Sequence, residues 1–237
     1  MIPWRQLGSA ALAGESRSLV LCQRDTEFVI RVGPHALMSS AAHGSEEALA
    51  EAACARLAGR ASPRVLVGGL GMGFTLAAAL RSLPADARVE VAELVGAVVE
   101  WNRGPLAHLA GRPLEDPRAA VHAGDVTGRI RAGRSAWDAI LLDVDNGPDG
   151  LTVATNDRLY SDTGLRDAFA ALREGGVLGV WSVQPDDVFT DRLARAGFAV
   201  EEQRVRARRH KGGRHTLWLA TRPGARAVAA AAGRRRP

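Results

Sequence analysis

Residues 64–80 read RVLVGGLGMGFTLAAAL. An apolar, β-branched run ends in Gly68, Gly69, Gly71 and Gly73, and the chain continues from Phe74 to Leu80 with the composition of a helix. Ordering glycine is costly, so four glycines within six positions need a use. A tight strand-to-helix turn that lets backbone approach a ligand closely is one. An ordinary structural turn is another, and the loop alone does not separate the two.

The chain on either side of this stretch alternates. RVLVGG, RVEVAEL, RAAVHAGD, WDAILLDVD and VLGVWSV read as five buried strands, separated by helical patterns such as FTLAAALRSL, GAVVEWNR and GLRDAFAALREGG. Such alternation with apolar strands predicts a mostly parallel sheet covered on both faces, with right-handed crossovers. FAVEEQRVRA and RHTLWLATR, joined around Gly212 and Gly213, predict a C-terminal antiparallel hairpin on that sheet. Upstream, residues 18–38 read as a short β-hairpin. Ser45 then reads as the N-cap of an amphipathic helix over residues 46–58, with Glu46 and Glu47 in its first turn and Gly59 at its end. The expected organisation is a short β segment over 1–45, an α/β domain over 46–222 and a disordered basic tail over 223–237.

Composition narrows the class. The net charge of +5 hides an asymmetry: residues 201–237 hold eleven basic and two acidic residues, so the first 200 are mildly acidic. Lys211 is the one lysine among 31 basic residues, a bias towards Arg that weakens any argument from Arg-richness. The basic stretch RVRARRHKGGRH fits a nucleic-acid contact on charge alone, but it lacks interleaved aromatics for base stacking, and a solvated basic hairpin is the favoured reading. Cys22 and Cys54 lack metal-site spacing and read as buried thiols; no metal is expected. No apolar run reaches the ~18 residues of a membrane span, the N-terminus makes a poor signal peptide, and a cytoplasmic protein without a membrane partner is expected.

In open α/β sheets ligands bind beyond the carboxyl ends of the strands, near the point where strand order reverses. The successive strand ends carry the glycine turn, then Glu93, then Gly124-Asp125, then Asp143, Asp145 and Asn146. Glu93 lies at the distance from the glycine turn where an acid can accept from two ribose hydroxyls. Asp125 can accept from an exocyclic amine, can cap the helix that follows it, or both. This set asks for a ligand with an adenosine end. The chain has no GxxxxGK[ST] loop, which argues against a nucleoside triphosphate.

In order and spacing, GG-x-G-x-G, VAEL-x-x-x-VVEWNR, DPRAAVHAGD, WDAILLD and LYSDTGLRDAFAALREGGVLGVWS resemble the spermidine synthase family, and more broadly the Rossmann-like class I methyltransferase fold. The resemblance runs from about Ala36 to Ser182. It implies an S-adenosyl donor, S-adenosylmethionine or its decarboxylated form, over Gly69, Gly71 and Gly73, with ribose on Glu93 and adenine near Gly124-Asp125. It implies that Asp143 helps deprotonate an attacking amine, with Asp145 beside it. Asn146 and Tyr160, in LYSDTGL, become candidates to border the acceptor. The family's loop Asp, which holds the aminopropyl end, is here Gly71; its Asp-Ser-Ser-Asp stretch is Asp143-Val144-Asp145-Asn146; its Tyr-His-Glu element reads as small residues and Glu51. The resemblance thus implies a transferase acting on a small-molecule amine, and a homodimer. Methyl transfer to a small molecule and a non-catalytic nucleoside- or RNA-binding protein are the alternatives.

Overall fold

The structure is a computed structural model, and it describes residues 2–12, 17–144, 156–208 and 212–224. Its centre is a seven-stranded sheet. The glycine-turn strand β5 (Arg64–Gly68) leads into α2 (Phe74–Ser82), β6 (Arg88–Glu93), α3 (Gly96–Arg103) and β7 (Ala119–Ala123). The chain then crosses through α4 (Val126–Ala132) to β8 (Trp137–Leu142), on the other side of β5. Helices α5 (Asn156–Tyr160) and α6 (Asp162–Ala171) precede β9 (Leu172–Ser182); α7 (Asp187–Arg195), β10 (Ala199–Arg206) and β11 (Arg214–Thr221) complete the domain. The order β10-β11-β9-β8-β5-β6-β7 is parallel from β9 to β7, and the C-terminal hairpin is antiparallel, as the sequence predicts.

The central strands β5 and β8 are apolar along most of their length because both faces are covered. Val65, Val67, Ala139 and Leu141 point to a core shared with α2, α3 and the helix α1 (Gly44–Ala55); Leu66, Ile140 and Leu142 point to a second core under α4, α6 and α7. The N-terminal segment is larger than the expected hairpin. It forms a four-stranded antiparallel sheet of β1 (Arg5–Ala11), β2 (Ser18–Arg24), β3 (Glu27–Val32) and β4 (His35–Ser39), whose apolar face joins the first core. The first strand, RQLGSAA, is short and carries Gly8, which hides its period; the glycine leaves room for the Trp101 indole, whose Nε1 lies 2.7 Å from where a β-carbon would stand.

Two boundaries move. Helix α1 is capped at His43 rather than Ser45, which sits inside the first turn, fully buried, with its hydroxyl 2.8 Å from His215 Nδ1. Helix α6 ends at Ala171, and residues 172–176 belong to β9 although they read as helical. The buried Asp138 explains this: its carboxylate accepts from Arg173 Nη1 at 2.9 Å, from Arg60 Nη1 at 2.7 Å and from the Arg64 amide at 2.8 Å. A buried carboxylate needs such partners, and the pairing holds Arg173 on the strand.

The strand order reverses between β5 and β8, so the crevice lies beyond Gly68 and Leu142. There the two chain segments nearly touch. Gly69 has φ +88°, and a β-carbon on it would lie 2.5 Å from the Asp143 carbonyl oxygen. Gly59 also has positive φ, +80°, but faces open space. Gly59→Ala should therefore cost only the left-handed strain of about 1–2 kcal/mol. Gly69→Ala should lose clearly more, lowering Tm by at least several degrees further, and paired thermal melts of the two variants check this.

Candidate active site

Beyond the β5 and β8 ends lies a cavity bounded by the glycine loop, the β6 and β7 ends and Asp143, and roofed by the N-terminal sheet through Leu12, Leu19, Ile30 and Leu37. Glu93 forms one wall. Its Oε2 accepts from the Leu70 amide at 2.9 Å and its Oε1 from the Val95 amide at 2.8 Å. Burial pushes its pKa up, while the surrounding amides pull the other way. The carboxylate lines the cavity with two acceptor oxygens, the group type that a pair of adjacent hydroxyls requires. Asp125 lines the cavity and also caps α4, its Oδ1 accepting from the Thr127 amide at 2.8 Å, so both of its anticipated roles are compatible. Gly124, Gly69 and Gly71 line the same cavity.

Asp143 stands where this cavity meets a second one, which it lines together with Glu46, Phe74 and Trp181; Leu37, Met38 and Gly71 also border both. Thr75 Oγ1 donates to Asp143 Oδ2 at 2.5 Å. Burial raises the Asp143 pKa to about 6 against the pull of that bond. Glu46 is pushed well above the usual carboxylate range, first by burial and then by the charges of Asp143 and Glu47.

Several expected positions fall elsewhere. Gly73 is the left-handed N-cap of α2, packed on Asn102, and is not among the cavity-lining residues. Tyr160 is buried in the second core, its ring edge-on to Phe189 with centroids 5.6 Å apart, because the α5–α6 corner turns it inward. Asp145 and Asn146 lie outside the described residues. Glu51, matched to the upstream acid, is exposed on α1; the acid of that helix at the cavity is Glu46, one turn and a half earlier.

Other contributors carried little signal in the sequence. Asn102 donates from Nδ2 to the Gly71 carbonyl at 2.8 Å and to the Val98 carbonyl at 2.9 Å, which fixes the glycine loop. Trp181 walls the second cavity and stands edge-on to His215, whose partner is Ser45 beside Glu46. Among the described residues no helix is long and apolar enough to cross a membrane.

No protein-family model matches this sequence, and no curated protein matches it. Solved structures do. The spermidine synthase of Thermotoga maritima superposes with a TM-score of 0.75 at 18% identity, over 92% of this chain and 73% of that one. A spermidine synthase in complex with the transition-state analogue AdoDATO gives 0.74 at 18% identity, over 92% and 72%. A protein assigned as an O-methyltransferase from Klebsiella pneumoniae gives 0.56 at 19% identity, over 77% and 81%. The fold is thus the Rossmann-like class I methyltransferase fold. Within that class its architecture is spermidine-synthase-like, with the N-terminal antiparallel sheet included.

The two carboxylates of the second cavity, Asp143 and Glu46, predict a pH dependence of stability. A carboxyl whose folded pKa lies above its unfolded value keeps its proton longer in the folded state, so the fold loses stability as pH rises above about 4 and through about 6 for Asp143. The charges acting on Glu46 are those of Asp143 and Glu47; of the nearby histidines, His43 faces Glu47 and His215 bonds the neighbouring Ser45. Glu46→Gln removes one buried charge and should raise Tm by a few degrees at pH 8 and by little at pH 4.5; calorimetry at both pH values checks the sign.

Proposed function

We propose that this protein is a transferase that binds an S-adenosyl donor in the first cavity and alkylates an amine presented from the second, with aminopropyl transfer from decarboxylated S-adenosylmethionine as the reaction. The observation that carries this is the position of Asp143, a half-buried carboxylate shared by a cavity with nucleoside-type acceptors and a cavity with a second acid. In this reading Glu93 accepts from the ribose hydroxyls, Asp125 meets the base, and the glycine loop lets the ligand lie against backbone. The likeness of fold to spermidine synthases supports it.

The donor supplies an alkyl carbon bound to a sulfonium, which departs as a neutral thioether. The work left to the protein is to align the amine and remove its proton. An ammonium has no lone pair for attack, so it must be deprotonated first. Asp143 takes that proton, and a base raised to about 6 is a better match to an amine than an ordinary carboxylate would be. Thr75, bonded to the other side of the reaction centre's carboxylate, holds it in one orientation. Apolar walls from Leu12, Leu19 and Ile30 exclude water and strengthen these contacts. The rest of the acceleration comes from holding nucleophile, carbon and leaving sulfur in line.

The test is turnover. The purified protein is incubated with either donor form and a panel of primary amines, and products are read by mass spectrometry. The expected product carries an aminopropyl group; a methylated product supports the methyltransferase alternative, and no product with either donor overturns the transferase reading. Asp143→Asn should lower kcat by about 10²–10⁴-fold. For the wild type, kcat/KM should fall about tenfold per pH unit below pH about 6, where Asp143 is protonated.

A further inference from the structure

Helix α1 begins with two adjacent glutamates whose surroundings differ. Glu47 has partners: its Oε1 lies 3.2 Å from the Arg81 guanidinium Nη2 and its Oε2 3.5 Å from His43 Nδ1. Glu46 lines the second cavity, as Asp143 does, and feels its charge. The residue keeps some exposed surface, yet its Oε2 is shut off from solvent and accepts no hydrogen bond. Leaving a buried carboxylate oxygen without a partner is expensive, and placing it beside a second carboxylate compounds the cost. Among the described residues lining this cavity there is no Arg, Lys or His to relieve it.

The rest of the site holds Glu46 in this costly place. Its neighbour Ser45 is fully buried and bonded to His215, and His215 packs edge-on against Trp181 with ring centroids 4.7 Å apart. His43, at the cap, stacks on Phe74 with centroids 4.0 Å apart. Phe74 and Trp181 both line the cavity, so the elements that clamp the first turn of α1 also build its walls. Aromatic and methionine walls with two acids among them suit an alkyl chain ending in a cation.

We propose that Glu46 and Asp143 together form a subsite for an alkylammonium group, with Glu46 as the residue that selects for positive charge there. This rests on the donor reading above only in naming the two sources of such a group, the ammonium tail of a decarboxylated donor and the amine acceptor. A ligand carrying a carboxylate at that end meets two like charges and is rejected.

Calorimetric titration of the wild type, Glu46→Gln and the control Glu47→Gln tests this with three probes. 5′-Methylthioadenosine carries the adenosyl group without an ammonium; decarboxylated S-adenosylmethionine adds one; 1,4-diaminobutane, titrated into protein saturated with 5′-methylthioadenosine, supplies the acceptor. Glu46→Gln should leave 5′-methylthioadenosine binding within about twofold and weaken one ammonium ligand at least about tenfold, and Glu47→Gln should change none. Loss of the decarboxylated donor places the donor tail on Glu46; loss of the diamine places the acceptor there. If both ammonium ligands bind Glu46→Gln as they bind the wild type, the proposal is overturned. If 5′-methylthioadenosine binds none of the proteins, the donor reading fails separately. The Glu46 proposal then stands or falls on whether Glu46→Gln weakens the diamine with the ligand-free protein. A melting temperature for each variant, at or above that of the wild type at pH 8, separates lost charge from lost fold.

Discussion

The site depends on one close approach. The backbone after β5 and the backbone after β8 pass so near each other that the Asp143 carbonyl occupies the space of a Gly69 side chain. The Asp143 amide also donates to the Gly68 carbonyl at 3.0 Å, continuing the ladder past the strand ends. That contact seals the crevice at the reversal of strand order and leaves Asp143 where it lines both cavities. Glu93 then ties the outer part of the same turn to β6 by bonding the Leu70 and Val95 amides, and Asn102 ties its tip to α3. A loop of four glycines, free in an unfolded chain, is in this way held from three sides.

The energetic consequence is a set of acids placed where they cost stability. Glu93 is satisfied by amides, and the equally buried Asp138 by arginines, so each is a settled part of the fold. Glu93 and Asp138 are well partnered, while at the second cavity Asp143 keeps a single hydroxyl donor and Glu46 Oε2 has none, which separates the two kinds by physics rather than by motif. Groups held in unfavourable surroundings are where function is to be sought, because a ligand can supply what the fold withholds.

The sheet was legible in the sequence because its central strands β5, β8 and β9 are buried and read as largely apolar runs, and because the glycine turn marks the first strand end. Glu93, Asp125 and Asp143 were legible because each stands at or just past the carboxyl end of such a strand. The N-terminal sheet was read only in part, since β1 has one exposed face, a glycine and little periodicity. Tyr160 was misplaced because a corner between two short helices turned a rim position into a core one. Glu46 escaped for a different reason. A first-turn glutamate is what any helix N-terminus favours, and nothing in the string EEALAE distinguishes the glutamate that points to Arg81 from the one that points into a cavity. That distinction is tertiary: it comes from Ser45 and His215, which are 170 residues apart.

The central claim is that an adenosyl group lies across the strand ends with its sugar on Glu93 and its sulfur end towards Asp143. A crystal structure with 5′-methylthioadenosine tests it most directly. The account predicts both ribose hydroxyls within hydrogen-bond distance of the Glu93 carboxylate, the base beside Asp125, and the sulfur at the junction of the two cavities. A ligand bound elsewhere, or bound here with its ribose turned away from Glu93, would contradict it.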